Sequence, residues 1–247
     1  MDKGLMADQL RLLKLHGMAE AFEDQASLPV QTRPSLEVAV SKMIEREKRF
    51  RNDARTAKLL KGAMLPRKVL IEDVTCSTAR NLTESQLGQL ADCSFIRNGE
   101  NLLITGKTGC GKTWLACALG YQACTLGIKT VFHRLDHLTG ILKRCTVEGS
   151  TEDFIRKLNK NDLVILDDFG LSTMTREARL ALLSILEDRY ERQSLIITSQ
   201  LPIDKWYEYL AEPTIADAIM DRLVNTSHHV NLEGPSMRER RREKTGQ

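Results

Sequence analysis

One stretch of the chain decides the fold: NLLITGKTGCGKT, residues 101–113. Its first five residues form an aliphatic run too short for a helix, which predicts a β-strand. The run leads directly into residues 106–113, which match G-x-x-x-x-G-K-[ST] at every fixed position. Residues 114–126 follow with apolar side chains at helical spacing, and Gly127 closes the helix. Strand, loop and helix in this order predict a phosphate-binding loop; a glycine-rich turn that carries Lys112 and Thr113 by chance is the competing interpretation.

The composition of the loop suits a nucleoside triphosphate. Glycines let backbone N–H groups curl around phosphate oxygens where a Cβ atom would collide. Lys112 supplies a cation to the β and γ phosphates, and Thr113 offers a hydroxyl to Mg²⁺ at the positive end of the following helix. The residues expected to contact ATP are Gly106, Lys107, Thr108, Gly109, Cys110, Gly111, Lys112 and Thr113.

A pair of aspartates ends a second aliphatic run, LVILDD at residues 163–168. We expect Asp167 to hold Mg²⁺ through water and Asp168 to orient or deprotonate the attacking water, because two buried carboxylates are costly without a metal or donors. The pair follows the loop lysine by about 55 residues, a separation that suits a triphosphatase. By itself, the pattern is also typical of a strand that ends in an acidic turn.

Short aliphatic runs alternate with longer helical stretches from Asn101 onward. This pattern predicts an α/β fold with a five-stranded, mainly parallel sheet flanked by helices. The predicted strands are residues 101–105, 129–132, 162–167, 194–198 and 229–232.

Two further candidate sites follow from this arrangement. Ser199 and Gln200 end the fourth strand, where either could read the γ-phosphate or serve as a turn residue before Pro202. Arg222 is a candidate arginine finger that acts on an adjacent subunit, or an ordinary exposed helix arginine.

The N-terminal part of the chain reads as helical. Residues 3–26 have the spacing of one amphipathic helix, and a second helix follows Pro34 until Gly62 and Pro66 break it. From Arg46 the second helix is strongly basic, which fits either a phosphate-contacting surface or a solvated helix with i,i+4 ion pairs. The candidate DNA contacts there are Arg46, Arg49, Arg51 and Arg55. We therefore expect an N-terminal helical domain at 1–64, a linker at 65–77 and an ATPase domain at 78–247.

Bulk properties narrow the class of protein. A chain of 247 residues with 42% apolar content can bury one main core plus a small appendage. The aliphatic runs are far below the ~20 residues of a membrane helix, and the first residues do not resemble a secretory signal, so we expect a soluble cytoplasmic protein. The six cysteines include no C-x-x-C pair, and Cys117 and Cys124 are expected to pack in the core. The net charge of +3 neither requires nor excludes a polyanionic partner.

Five segments together resemble the IstB transposition helpers of bacterial insertion sequences, in the DnaC-like branch of AAA+ ATPases. They are residues 101–116 (NLLITGKTGCGKTWLA), 163–171 (LVILDDFGL), 188–208 (DRYERQSLIITSQLPIDKWYE), 213–223 (PTIADAIMDRL) and 234–238 (GPSMR). The third segment is the most specific, since many families share the first two.

The resemblance implies an AAA+ core that binds ATP, forms a homo-oligomer and grips duplex DNA. It further implies delivery of a target site to a partner transposase, IstA-like, which the assembly stimulates. By the same likeness, Arg222 falls on the finger position and Arg238 on the second-sensor position. Many AAA+ proteins have Asp-Glu where this chain and its relatives have Asp167-Asp168.

Residues 133–161 resemble the extra helical element of the initiator and loader branch. They carry two short helical patterns with the candidate DNA contacts Lys143, Arg144, Arg156 and Lys157. In an assembly, each copy of such an element would add a few phosphate contacts, so that a modest charge per subunit gives substantial affinity for DNA. Only 15 residues follow Leu232, so we expect no full C-terminal lid and a nucleotide closed over mainly by a neighbouring subunit.

Two other functions are compatible with the same loop. A helicase loader would use the same ATPase site with a ring helicase as its partner. A small-molecule P-loop kinase would use ATP independently of DNA, against which stand the basic N-terminal helices and the absence of an evident substrate lid.

Overall fold

The computed structural model describes residues 3–237, which divide after Lys58 into two compact units. The first unit contains α1 (Lys3–Leu12), α2 (His16–Ser27) and most of α3 (Leu36–Ala63). The division falls inside α3, a few residues before the predicted boundary at 64.

The single helix predicted for residues 3–26 is wrong, because the chain turns between α1 and α2. Lys14 has a left-handed backbone with φ of 60°. Gly17 lies so close to α3 that a Cβ atom there would be 2.6 Å from the carbonyl oxygen of Arg46. The buried Glu47 carboxylate accepts the amides of Gly17 and Met18 at 2.8 and 3.2 Å. Tertiary contact with α3 therefore sets the start of α2.

The second unit carries the sheet. Its helices are α4 (Glu84–Ala91), α5 (Ser94–Arg97), α6 (Lys112–Thr125), α7 (Leu135–Glu148), α8 (Thr151–Leu158), α9 (Arg176–Arg189), α10 (Trp206–Leu210) and α11 (Pro213–Val224). Its strands are β1 (Asn101–Gly106), β2 (Thr130–Arg134), β3 (Leu163–Phe169), β4 (Ser194–Ser199) and β5 (Ser227–Leu232). The predicted five-stranded α/β sheet is confirmed: all strands pair in parallel, in the order β2-β3-β4-β1-β5.

Both faces of the sheet are buried. Along β1, Leu103 joins one apolar cluster with side chains of α7, α9 and α11, while Leu102 and Ile104 join another with α4, α5 and α6. This alternation follows from the two-residue period of a strand, and each fully buried leucine or isoleucine contributes about 1.5–3 kcal/mol. The two apolar clusters, one on each face of the sheet, hold β1 in place and so fix the position of the loop that follows it.

Cys117 and Cys124 are buried free thiols, as predicted. Val69 and Val74, from the segment predicted as a linker, belong to the same cluster as α6. Among the described residues, no helix is long and apolar enough to cross a membrane.

Candidate nucleotide site

Three glycines give the loop between β1 and α6 its backbone conformation. Gly106, Gly109 and Gly111 have φ of 142°, 84° and 95°, a region that side chains rarely adopt. A Cβ atom at Gly106 would lie 2.1 Å from the carbonyl oxygen of Leu232. The backbone can therefore form the predicted concave loop only with glycine at this position.

Lys112 begins α6 and turns its ammonium group back over the loop. Its Nζ donates to the carbonyl oxygens of Gly106 and Lys107 at 2.8 and 3.0 Å, and the residue is buried. The amides at the start of α6 lie beside it. A cation and a helix N-terminus at one loop form a site suited to a polyphosphate.

Asp167 connects the loop to the next strands. The Thr113 hydroxyl donates to its two carboxylate oxygens at 2.8 and 3.1 Å, and the Thr198 hydroxyl donates at 2.5 Å. Burial raises the pKa of Asp167, while the bonds from Thr198 and Thr113 oppose that rise. A buried carboxylate beside a hydroxyl offers the oxygen ligands that Mg²⁺ prefers, and a cation would offset the cost of its burial.

Asp168 has a different environment from Asp167. Its φ is 62°, at a register shift between β3 and β4, and its amide donates to the Thr198 hydroxyl at 3.1 Å. Its carboxylate is partly exposed and lies 3.6 Å from the guanidinium of Arg134. The turn thus directs the two adjacent carboxylates into different surroundings.

Ser199 and Gln200 separate into two roles. The buried Ser199 hydroxyl donates to the carbonyl of Phe169 at 2.7 Å and accepts the amide of Leu201 at 3.0 Å, which favours the turn interpretation. Gln200 instead accepts a hydrogen bond from the Thr108 hydroxyl of the loop at 2.7 Å. Of these two residues, Gln200 is the one that is hydrogen-bonded to the predicted phosphate loop.

Arg222 lies at the opposite end of the sheet from the loop of its own chain. The carbonyl of Arg222 accepts the side-chain amide of Asn101, the first residue of β1, at 3.2 Å. A strand rises about 3.3 Å per residue, so the end of β1 at Gly106 is about 16 Å further on. The Arg222 guanidinium pairs with Glu187 at 3.1 Å. It cannot complete its own site from this position.

The remaining predicted residues lie on helices or outside the described range. Arg46 pairs with Glu20 and Arg51 with Glu47; Arg156 pairs with Asp153 on α8. Exposed positions are taken by Arg49 and Arg55 on α3, Lys143 and Arg144 on α7, and Lys157 on α8. Arg238 is outside residues 3–237.

Sequence reasoning missed two arginines at this site. Arg134 is the last residue of β2, and its guanidinium lies 3.6 Å from the Asp168 carboxylate. Arg80 is buried, and its guanidinium donates to the carbonyl of Cys110 in the loop at 2.8 Å. Neither arginine belongs to a motif, and Arg80 precedes Cys110 by 30 residues, so local spacing could not reveal its contact.

Solved structures share this fold at low sequence identity. The DnaC helicase loader aligns over 67% of this chain and 97% of its own, with a TM-score of 0.56 and 18% identity. The replication initiator DnaA, solved with AMPPCP and single-stranded DNA, aligns over 73% of this chain and 55% of its own, with a TM-score of 0.58 and 19% identity. The parallel sheet and the glycine-rich loop with Lys112 and Thr113 define a protein of the P-loop nucleotide-binding class.

Sequence relatives narrow the class to a family. The model of the IstB-like ATP binding proteins matches residues 8–245. An insertion sequence ATP-binding protein of Sinorhizobium fredii is 39% identical over 96% of this chain and 97% of its own. The ATP-binding protein of insertion sequence IS1162 from Pseudomonas fluorescens is 40% identical over 78% of this chain and 84% of its own. The chain belongs to the IstB-like ATP binding protein family, as the sequence resemblance predicted.

Proposed function

We propose that this chain uses ATP to assemble on duplex DNA and supports transposition by delivering a target site to a partner transposase, which it stimulates. The relatives are ATP-binding proteins of insertion sequences, which supports transposition as the process. We place the protein in the cytoplasm, where it would reach DNA.

The location of Arg222 carries the proposal of assembly. The phosphate loop and both aspartates lie at the carboxyl ends of the strands, whereas Arg222 lies near the amino end of β1. An arginine that neutralises charge on a transferring phosphoryl group can come from a second subunit. We therefore propose a homo-oligomer in which Arg222 of one copy faces the loop of the next.

Within one copy, the side chains have distinct proposed roles. Lys112 and the loop amides bind the phosphates, and Gln200 reads the γ-phosphate through its contact with Thr108. Thr113 and Asp167 would hold Mg²⁺, which neutralises phosphate charge when bound. Asp168 orients the attacking water or accepts its proton, and Arg238 is proposed as a second sensor.

The basic residues of α3, α7 and α8 are proposed to contact DNA phosphates. Lys143 and Arg144 on α7 are exposed, which leaves both charges accessible to a DNA backbone. In an assembly, identical contacts on successive copies add their free energies.

A DNA-binding titration tests the proposal. Duplex DNA is titrated with the protein in ATP, in ADP and without nucleotide, beside Lys112→Ala. We expect cooperative binding favoured by ATP, which the variant loses. Equal binding in all three conditions would reject nucleotide-gated assembly.

The choice of partner is tested separately by capture. A purified cognate transposase and a purified ring helicase are each passed over the immobilised chain with ATP and DNA. Retention of the transposase alone supports the proposal. Retention of the helicase alone would make the chain a helicase loader, and ATP use stimulated by a metabolite but not by DNA would indicate a kinase.

A further inference from the structure

We infer that Arg80 is a positioning residue for nucleotide binding, because it fixes the orientation of a peptide group in the phosphate loop. The inference deepens the proposed function and rests on ATP binding at this loop. Arg80 lies at the end of a short turn before α4 and is buried. Its guanidinium donates to the carbonyls of Thr75 and Cys110.

The geometry of a peptide bond gives this contact its consequence. In a trans peptide group, the C=O and the next residue's N–H point in opposite directions. The described residues include no cis peptide bond. Because Arg80 holds the Cys110 carbonyl, the amide of Gly111 points away from Arg80. We infer that this amide faces the phosphate, since the amides of such a loop must converge on a phosphate oxygen.

A neighbouring carbonyl of the loop is held in the same way from a different segment. The amide of Met237 donates to the carbonyl of Gly109 at 2.9 Å, and the next amide, that of Cys110, donates to the carbonyl of Lys107 within the loop at 3.4 Å. The amide of Glu233 in turn donates to the carbonyl of Arg80 at 3.1 Å. Two segments far apart in the sequence therefore hold two consecutive loop carbonyls from outside.

The glycines of the loop make room for this support. A Cβ atom at Gly109 would lie 2.3 Å from the Ser236 hydroxyl oxygen, and one at Gly111 would lie 2.8 Å from the Arg80 guanidinium. Arg80 also brings a buried positive charge beside a site for a polyanion, where a low dielectric strengthens attraction. Both effects strengthen binding of the phosphate groups, and neither depends on which base the nucleotide carries.

The test measures binding to the full chain without DNA. Calorimetry gives the Kd and stoichiometry of ATP with magnesium, of ADP, and of inorganic tripolyphosphate for wild type, Arg80→Ala and Arg80→Lys. Arg97→Ala, which removes an exposed arginine of the same unit, is the matched control.

We expect Arg80→Ala to raise all three Kd values by about tenfold or more at unchanged stoichiometry, since a charge-assisted bond orients the loop. Arg80→Lys should recover part of the loss, and Arg97→Ala should stay within about twofold of wild type.

Three results would overturn the inference. One is a Kd within about twofold of wild type for Arg80→Ala. Another is an unchanged Kd with reduced stoichiometry, which would show a role in folding alone. The third is weaker ATP binding with unaltered tripolyphosphate binding, which would place Arg80 at the nucleoside. If the wild-type chain binds DNA equally with and without ATP while Arg80→Ala still weakens ATP binding, only the proposed function is contradicted.

Discussion

The hydroxyl of Thr113 lies 2.8 Å from a carboxylate oxygen of Asp167, although 54 residues separate them in the sequence. The contact joins the phosphate loop to β3 and brings the two proposed magnesium ligands together. Thr198 donates to the same carboxylate from β4. One buried carboxylate thus connects three neighbouring elements, and its substitution gives the sharpest tests of the site.

Asp167→Asn should lower ATP hydrolysis by about a hundredfold or more, because the amide is a much poorer ligand for Mg²⁺. Nucleotide binding should persist, since Lys112 and the loop remain. Steady-state hydrolysis and ATP titration measure the two effects separately. Asp204→Asn, at an exposed position of the same unit, is the control, and hydrolysis at the wild-type rate in Asp167→Asn would remove this residue from the site.

The same variant should be more stable than wild type near neutral pH in magnesium-free buffer. Burial raises the pKa of Asp167 in the folded state, so the folded chain binds the proton more readily than the unfolded chain. Stability from this group is complete below the unfolded pKa of about 3.9 and falls as pH rises through the raised folded pKa.

Thermal unfolding at several pH values checks this prediction. The advantage of Asp167→Asn should grow from about pH 4 upward, and each 1 kcal/mol should appear as about 2–4 °C in Tm. A difference that stays constant with pH, or that favours wild type at neutral pH, would contradict the raised pKa.

Arg222→Ala should lower the rate of ATP hydrolysis in the assembled protein by about a thousandfold, the lower end of the range for an arginine finger. Mixing it with Lys112→Ala should restore part of the activity, because each variant supplies the half-site that the other lacks. Arg176→Ala, whose arginine pairs with Glu212 on the surface, serves as the control. If the mixture is as inactive as its components, Arg222 does not act across subunits.

Replacing both Lys143 and Arg144 with alanine should weaken DNA binding uniformly across sequences. Two lost phosphate contacts should reduce the slope of log Kd against log salt by about 2. DNA titrations at several salt concentrations measure the slope. Lys205→Ala, which removes a lysine paired with Glu208, should leave it unchanged; an unaltered slope in the double variant would exclude α7 from the interface.

Local patterns were sufficient to predict the sheet and the loop. The glycines and Lys112 of the loop, and the aliphatic run before Asp167, are determined by neighbours a few residues away. Each strand was therefore located to within a few residues, and the alternation with helices predicted a mainly parallel sheet but not the order of its strands.

Features that depend on distant residues were not predictable in this way. The break between α1 and α2 depends on Glu47, which accepts the amide of Gly17 from 30 positions away. The role of Ser199 depends on the carbonyl of Phe169 across the sheet. Arg80 reaches the loop only because the chain folds back over it, and no periodicity records that path.

The specific rate of ATP hydrolysis, measured against protein concentration with and without duplex DNA, distinguishes sites shared between copies from sites complete within one copy. If Arg222 of one copy completes the site of another, the rate per subunit should rise with concentration, and DNA should shift the rise to lower concentrations. Dilute monomer that hydrolyses ATP as fast as the DNA-bound assembly would show that each site is complete within one copy and would contradict the proposed role of Arg222.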